Sequence, residues 1–344
     1  MLGHRDPRVG ETVSYRDVPR SSDAPDARVV EELRWSIEID GILDFLVIGD
    51  GEMRRSSSVC PRRCTQILPP GSLIPIACHS ADAELYVCCP ELAFIQVCQC
   101  VDIAGAIYYG MNVCSDYRFD AFSPGGVAYR MEGAHSTASV KSIKSYLSRA
   151  GGLRGVKRAR LALPYIREHV RSPKECALGM LFCLPSKWGG FDLGSLSFNE
   201  CVRVYNGIDK SGEKRFCTRY PDIVIRSSSQ TGENRTVFVD YDPDSTHSGD
   251  AKGLLDSRRR NDMATLRETC HFTVTSDDAA SFDYLEKLAD QIRRALGGRI
   301  RPALRCSIDS AQARDILASA RTCRRELWAQ FLKKPFSVVI DDLR

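Results

Sequence analysis

Two short apolar segments separated by a polar turn constrain the fold of this chain most strongly. The segments read RYPDIVIR (219–226) and RTVFVDYD (235–242), and the turn between them reads SSSQTGEN. β-branched and aromatic residues bounded by Ser, Gly and Asn are typical of strands and of the turns that join them. We therefore predict a β-hairpin here, within a larger sheet that makes the hairpin stable.

Three aspartates lie at one end of the predicted hairpin. Asp222 comes early in the first strand, whereas Asp240 and Asp242 end the second. Because side chains alternate along a strand, Asp240 and Asp242 share one face with Phe238. Clustered carboxylates repel one another and raise each other's pKa, so a divalent cation such as Mg²⁺ or Mn²⁺ stabilises them. The alternative is a strand that runs into an acidic turn.

Helical patterns flank the predicted hairpin. Ser172, Pro173 and Glu175 form a helix start, with Ser as the cap, Pro at the first position and Glu at the third. A helix over roughly 254–267, the strand HFTVT and two amphipathic helices follow the hairpin. Their expected inward residues are Phe282, Leu285, Leu288, Ile292 and Leu296 in one helix, and Ile316, Ala320, Cys323, Leu327 and Phe331 in the helix over 310–332. The order predicts an α/β class, with a mixed sheet flanked by helices.

The N-terminal half has a different pattern, and 344 residues are enough for two domains. It contains a strand in GILDFLVIGD, two short strands about a Pro-Pro-Gly turn, a helix that opens at Pro90 and a loop over 117–138. The predicted segments are a flexible leader 1–28, a small α+β module 29–140, a basic helical linker 141–171, an α/β domain 172–300 and a C-terminal helical extension 301–344.

Basic residues are concentrated in the predicted linker, although the net charge is only +4. Nine Lys or Arg and one acid, Glu168, lie between Lys141 and Arg171. Such a run either contacts phosphate or forms a solvated helix face. Under the first interpretation, Lys157 and Arg158 contact DNA.

The remaining composition favours a cytoplasmic protein. We find no stretch of about 18–20 apolar residues that would span a membrane, and no apolar core of a signal peptide near the N-terminus. The fifteen cysteines lack the paired spacing of a zinc site, so we expect reduced, mostly buried thiols. The histidines outside the acidic region, among them His271, lack ligand spacing and are assigned surface or core roles.

The acidic strand ends resemble a known family. The residues that carry the resemblance are Asp222, Val239-Asp240-Tyr241-Asp242, His247 and Asp256-x-x-Arg259-Arg260-Asn261. They resemble the endonuclease-like domain related to very-short-patch-repair (Vsr) enzymes, a branch of the PD-(D/E)XK fold. Its pattern is an acidic helix residue, a hairpin Asp, Glu-x-Asp-Gly-x-x-His and Asp-x-x-Arg. This chain has Asp240 in place of Glu and Pro243 in place of Gly.

The resemblance implies metal-dependent cleavage of DNA phosphodiester bonds. Asp222 and Asp240 would hold Mg²⁺ or Mn²⁺, while Glu175 and Asp242 would complete or orient the metal shell. His247 would act as a general acid or base, or position water. The implied DNA contacts are Arg259, Arg260 and Asn261. A capping box is the alternative role for Glu175, and an ion pair with Asp256 on one helix face is the alternative for the arginines.

A second resemblance concerns residues from about 40 onward. The segments ILDFLVIGD, ILPPGSLIPI and LYVCCPELAFIQVCQCVDIAGAIYYG are similar to the middle of actinobacterial proteins related to abortive-infection (AbiEi-type) antitoxins. In those proteins a regulatory DNA-binding part precedes a nuclease-like domain. The alternatives to an endonuclease are therefore a DNA-binding regulator without catalysis, with a cognate toxin or a second copy as partner, and an interaction protein whose nuclease fold is a relic.

Overall fold

A computed structural model shows the protein as two compact units. It describes residues 22–37, 42–76, 85–120, 123, 127–130, 136–227, 235–243, 261–298 and 311–334. The described residues of Met1–Gln99 and Lys141–Ala159 form the first unit, and those of Cys100–Val140 and Arg160–Arg344 form the second. This division passes through the predicted linker, and the predicted domain boundaries stay a prediction.

The described residues form short strands and helices, which agrees with the predicted α/β class. The described helices are α1 Ala27–Ile37, α2 Pro90–Cys100, α3 Ile103–Val113, α4 Val140–Arg149, α5 Val156–Ala162, α6 Pro173–Cys183, α7 Ser276–Ala280, α8 Phe282–Ala295 and α9 Ala311–Trp328. The described strands are β1 Leu43–Ile48, β2 Val59–Cys64, β3 Leu73–Ile76, β4 Leu85–Cys88, β5 Tyr117–Phe119, β6 Val127–Tyr129, β7 Ser195–Phe198, β8 Val202–Ile208, β9 Lys214–Arg219, β10 Ile223–Arg226, β11 Thr236–Asp242 and β12 Thr269–Thr275.

In the first unit, the predicted strand after the Pro-Pro-Gly turn is confirmed as β3, whereas the predicted strand before the turn is wrong, because β2 ends at Cys64. Strand β2 pairs in parallel with β1, and β3 pairs antiparallel with β4. The predicted helix at Pro90 and the two basic helices on either side of Gly151-Gly152 are confirmed as α2, α4 and α5. In the second unit, the predicted continuous loop over 117–138 is wrong, because β5 and β6 pair antiparallel within it.

The second unit contains a four-stranded mixed sheet with the order β12-β11-β10-β7. Strand β10 is antiparallel to both β7 and β11, whereas β11 and β12 are parallel. The two predicted hairpin strands are therefore the central pair, with Ile223 opposite Val239. Strands β7, β8 and β9 were not predicted. The first two lie in a segment whose Gly, Ser and Asn residues favour turns, and β9 is mostly polar.

The two faces of this sheet have different neighbours. Helix α6 packs on the face that carries Leu196 and Phe198, where a Cβ added to Gly179 would lie only 2.5 Å from the Phe198 ring. The glycine thus permits a close approach of helix and strand. Strand β8 packs on the opposite face. The buried residues that meet there are Val204, Val224, Phe238 and Met263.

Helix α6 is capped at both ends by neighbouring residues. Ser172 Oγ accepts a hydrogen bond from the Glu175 amide, as the predicted cap requires. After the helix the chain turns back along its last turn, so that the amides of Phe191 and Leu193 donate to carbonyls of Leu181 and Phe182. These bonds satisfy carbonyls that the end of a helix leaves without intrahelical partners.

Gly190 makes this return path possible. A Cβ at this position would overlap the carbonyl group of Leu184. Backbone atoms cannot move aside as the end of a flexible side chain can, and we therefore expect that only glycine fits here.

The predicted inward residues of α8 are buried, and those of α9 are buried only toward its end. Leu327 and Phe331 are 3% and 1% exposed, but Ile316 is 46% exposed, so its predicted inward position is wrong. Periodicity shows which residues share a helix face, but not how far along the helix the packing partner extends. Phe331, in the π-helical turn Ala329–Lys333, stacks on Tyr108 of α3 with ring centroids 4.5 Å apart.

The cysteines of the described residues are free thiols. Burial raises the pKa of Cys89 and of Cys98 to about 12, so both thiols stay protonated at neutral pH. Cys100, however, is exposed, which corrects the expectation that its group is buried. Within the described part of the chain, every helix is too short or too polar to cross a membrane.

Candidate active site

Asp222 directly precedes β10 and Asp240 lies on β11, so the two residues are side by side at one end of the central strand pair. The Asp222 amide donates to Asp240 Oδ1 at 3.1 Å, and the Tyr241 amide donates to Asp222 Oδ2 at 2.8 Å. Each carboxylate therefore accepts a backbone hydrogen from the opposite segment. These reciprocal bonds fix the orientation of both side chains at one end of the sheet.

His271 contacts Asp240 from the neighbouring strand β12. Its Nε2 lies 3.0 Å from Asp240 Oδ2, and the two side chains are only 13% and 14% exposed. Because His271 is opposite Phe238 in the parallel register, the imidazole lies on the same sheet face as the Asp240 carboxylate. Asp240 is thus held from both adjacent strands.

Glu175 is buried in the first turn of α6 and is 6% exposed. Its Oε2 accepts hydrogen bonds from the Arg171 amide and from Asn199 Nδ2, both at 3.2 Å. The backbone N–H of Asn199 in turn donates to the backbone carbonyl of Asp222. Glu175 therefore binds the amide of the residue before the Ser172 cap, so the alternative capping box is not formed, and Asn199 links Glu175 to Asp222.

Burial raises the pKa of the Glu175 carboxyl, although its hydrogen bonds with Ser172 and Asn199 oppose the shift. A raised pKa means that ionisation is less favourable in the folded chain than in the unfolded chain. The resulting loss of stability is absent below the ordinary pKa of 4.5, grows as the pH rises, and is complete above the folded pKa.

Replacing Glu175 with Gln should consequently stabilise the protein more at pH 8 than at pH 4. The amide is never ionised, and its oxygen can accept the same two hydrogen bonds. The measurement is the free energy of unfolding in urea at both pH values, with the exposed Glu326→Gln as the matched control. If the gain in free energy of unfolding is equal at the two pH values, or larger at pH 4, the pKa of Glu175 is not raised in the folded protein.

A cavity of about 600 Å³ lies beside Asn199, the hydrogen-bond partner of Glu175. Its lining includes His169, Asn199, Arg171 and Tyr220. His169 and Asn199 have φ values of 65° and 47°, a conformation that few residues other than glycine adopt. Asn199 Nδ2 donates to two acceptors, which sets the amide orientation. The buried Oδ1 has no hydrogen-bond partner among the described residues, and an ordered water commonly satisfies such a group.

The remaining predicted site residues are dispersed or lie outside the described residues. Asp242 is half-exposed, two residues farther along β11. Nowhere in the described ranges do three His, Cys, Asp or Glu side chains form a group that could hold a metal ion. Asn261 is exposed, and residues 261–263 form a helical turn at the edge of the described residues. The described part of the predicted helix over 254–267 is limited to that turn, and His247, Arg259 and Arg260 lie outside the described residues.

The two predicted basic contacts belong to the first unit. Lys157 is exposed on α5. Arg158 is half-buried, and its Nη1 donates to the carbonyls of Cys98 and Gln99 at 2.8 and 3.3 Å. Cations stabilise the carbonyl end of a helix, so Arg158 has a structural role at the end of α2. Contact of either residue with DNA stays a prediction.

His271 and Asn199 were not among the predicted site residues. The signal for His271 was its position early in HFTVT, because a parallel partner of β11 brings that position close to Asp240. No sequence pattern marks Asn199, since its contacts with Glu175 and Asp222 depend on the turn that follows β7. Comparison of the whole chain with protein-family models, with curated proteins and with solved structures finds no match.

Proposed function

We propose that this protein is a metal-dependent, endonuclease-like hydrolase of DNA phosphodiester bonds, with a core of the PD-(D/E)XK type. The observation that carries the proposal is the pair of aspartates, Asp222 and Asp240, held side by side by reciprocal backbone hydrogen bonds. The order of elements supports it: a helix with a buried acid, a strand, the central pair of strands and a parallel fourth strand.

The donor chemistry of the pair fits a hard divalent cation. Mg²⁺ prefers oxygen ligands and is commonly held by one or two carboxylates, with water and substrate phosphate completing its shell. Asp222 and Asp240 would be the protein ligands. When bound, the cation supplies charge neutralisation at the scissile phosphate and lowers the pKa of a coordinated water.

The protein's own groups would orient this chemistry. His271 holds the Asp240 carboxylate in place, as hydrogen-bonded neighbours of ligating carboxylates do in metal sites. Glu175 positions Asp222 through Asn199, and the hydrogen bond from the Tyr241 amide fixes the Asp222 side chain. We therefore assign His271, Glu175 and Asn199 as positioning residues, and Asp222 and Asp240 as the groups that act at the phosphate.

A DNA-binding regulator without catalysis is the second candidate. The observation that favours it is that both aspartates already satisfy backbone amides. Such hydrogen bonds stabilise the end of the central strand pair whether or not a cation binds. An inactive descendant of a nuclease would retain them.

The test is cleavage of supercoiled plasmid and of a single-stranded oligonucleotide with Mg²⁺ or Mn²⁺, compared with EDTA in the same preparation. We expect nicked or linear products with the cation, and a rate at least about a hundredfold lower with EDTA, because the loss of several kcal/mol of charge stabilisation exceeds two powers of ten. If neither substrate is cut, or if EDTA changes nothing, the hydrolase proposal fails. DNA binding that persists in EDTA without cleavage would favour the regulator.

A further inference from the structure

Strands β8 and β9 form a two-stranded ribbon, inserted in the chain between β7 and β10 of the main sheet. Its outward face carries Arg203, Tyr205 and Phe216, and the two aromatic side chains are 41% and 44% exposed. They pair across the strands at a centroid distance of 6.1 Å, and the Arg203 guanidinium lies 4.1 Å above the Phe216 ring. The rings meet edge to face at an interplanar angle of 78°, so they form an exposed apolar patch beside a cation.

The inward face anchors the ribbon to the sheet. Val204 is fully buried against Val224 and Phe238, with Cys217 packed beside them. Arg219 forms an ion pair with Asp262 at the base of the ribbon. Because Phe238 and Asp240 lie on one face of β11, the ribbon stands on the same sheet face as the two aspartates.

The turn at the far end of the ribbon is held together by hydrogen bonds to one carboxylate. Asp209 Oδ1 accepts hydrogen bonds from the Ser211 amide, the Ser211 hydroxyl and the Glu213 amide, at 2.9, 2.6 and 2.9 Å. Gly212 supplies the positive φ of 86° that the turn requires. The pKa of Asp209 lies below its ordinary value, chiefly because the Ser211 side chain donates a hydrogen bond to the carboxylate. The carboxylate that organises the turn therefore stays ionised in mildly acidic solution.

Three exposed cations cluster at this turn, and we call them the tip cations: Lys210, Lys214 and Arg215. The whole ribbon from 202 to 219 has five basic and two acidic residues. One acid, Asp209, is used in the turn and lies 4.0 Å from Arg215. The outward surface therefore combines positive charge with exposed aromatic rings, which matches a polyanion that also offers flat or apolar edges.

We propose that the ribbon docks in a groove of duplex DNA, with the tip cations on phosphates and Tyr205 and Phe216 against the groove wall. Two strands lie about 5 Å apart, and the major groove, about 12 Å wide, admits a two-stranded ribbon. Six-residue β9 spans about 20 Å, and only Tyr220 and Pro221 separate it from Asp222. A duplex held by the ribbon would lie over the aspartates, so this inference rests on the proposed function and adds its DNA-binding element.

The test measures binding of a fluorescent 25-base-pair duplex in EDTA, across a series of NaCl concentrations. The first variant replaces the tip cations with Gln, and the matched control makes the same charge change at three exposed residues of α8 and α9: Lys287→Gln, Arg314→Gln and Arg325→Gln. We expect the tip variant to raise the Kd at least tenfold and to reduce the slope of log Kd against log salt by about 3, because each phosphate contact contributes about 0.9. The control should change the Kd less than threefold.

Cleavage is measured separately, so that the two proposals can fail independently. If the tip variant binds as the control does, the ribbon inference is overturned while metal-dependent cleavage still supports the hydrolase. If poly-glutamate competes as well as unlabelled duplex at equal charge, the surface recognises acidic polymers in general and the inference is likewise overturned. If the wild-type protein neither binds duplex nor cleaves any DNA, both proposals fail.

Discussion

Replacing Asp240 with Asn should reduce metal-dependent DNA cleavage on the order of a thousandfold while leaving the fold intact. The amide oxygen can still accept the hydrogen bond from the Asp222 amide, and its nitrogen can donate to His271 in the other tautomer. The negative charge that would hold a cation is lost, however. A loss of about 4 kcal/mol of transition-state stabilisation corresponds to this decrease in rate.

The measurement is the initial rate of plasmid nicking with Mg²⁺, together with the free energy of unfolding in urea for both proteins. An equally conservative change at an exposed acid of α7, Asp277→Asn, controls for charge and preparation. A variant that nicks DNA as fast as the wild type would remove Asp240 from the site. If the variant loses activity only because it has unfolded, Asp240 is a structural residue. The rate of the Asp222→Asn variant would then decide whether the carboxylate pair takes part in cleavage.

Replacing Gly190 with Ala should lower the free energy of unfolding by about 3 kcal/mol or more. The added methyl group would overlap the carbonyl of Leu184, and neither backbone can move without breaking the hydrogen bonds that close the end of α6. Overpacking in a well-packed interior costs about 1–3 kcal/mol of free energy of unfolding. A clash with backbone atoms should cost about 3 kcal/mol or more, because these atoms cannot move aside.

Gly151→Ala is the matched control for this measurement in urea. A Cβ at Gly151 would meet no atom within 4 Å, so its substitution should be neutral or stabilise the protein by less than about 1 kcal/mol. If both variants unfold at the same urea concentration, the close approach of residues 190 and 184 is incorrect. A large loss confined to Gly190→Ala would support the way in which the chain leaves α6 and enters β7.

The central strands and the carboxylate pair were predictable because their signals are local. Strands β10 and β11 each contain an unbroken run of three apolar residues, and the apolar residues of α8 recur at helical spacing, so both patterns depend on a few neighbouring positions. The cap at Ser172 is local as well, and it was confirmed. Asp222 and Asp240 came together as expected since they occupy facing positions of one strand pair.

The ribbon and the role of His271 could not be predicted in the same way. Strand β8 contains Asn206 and Gly207, which favour turns, and it forms because its inward side chains meet residues distant in sequence. His271 acquires its partner through a parallel pairing, in which the two strands are joined by a long connection. In both cases tertiary contacts outweigh local preference, and a single sequence does not reveal them.

The stacking of Phe331 on Tyr108 has a consequence for how the protein is made. The ribosome must add all residues from 109 to 330 before the second ring exists, which takes on the order of tens of seconds at typical elongation rates. Until then α3 has an apolar face without one of its native partners, and nascent chains in that condition are substrates for chaperones or aggregate. A message cut short just before codon 331 would therefore yield a product that contains every proposed catalytic residue and still fails to complete its core.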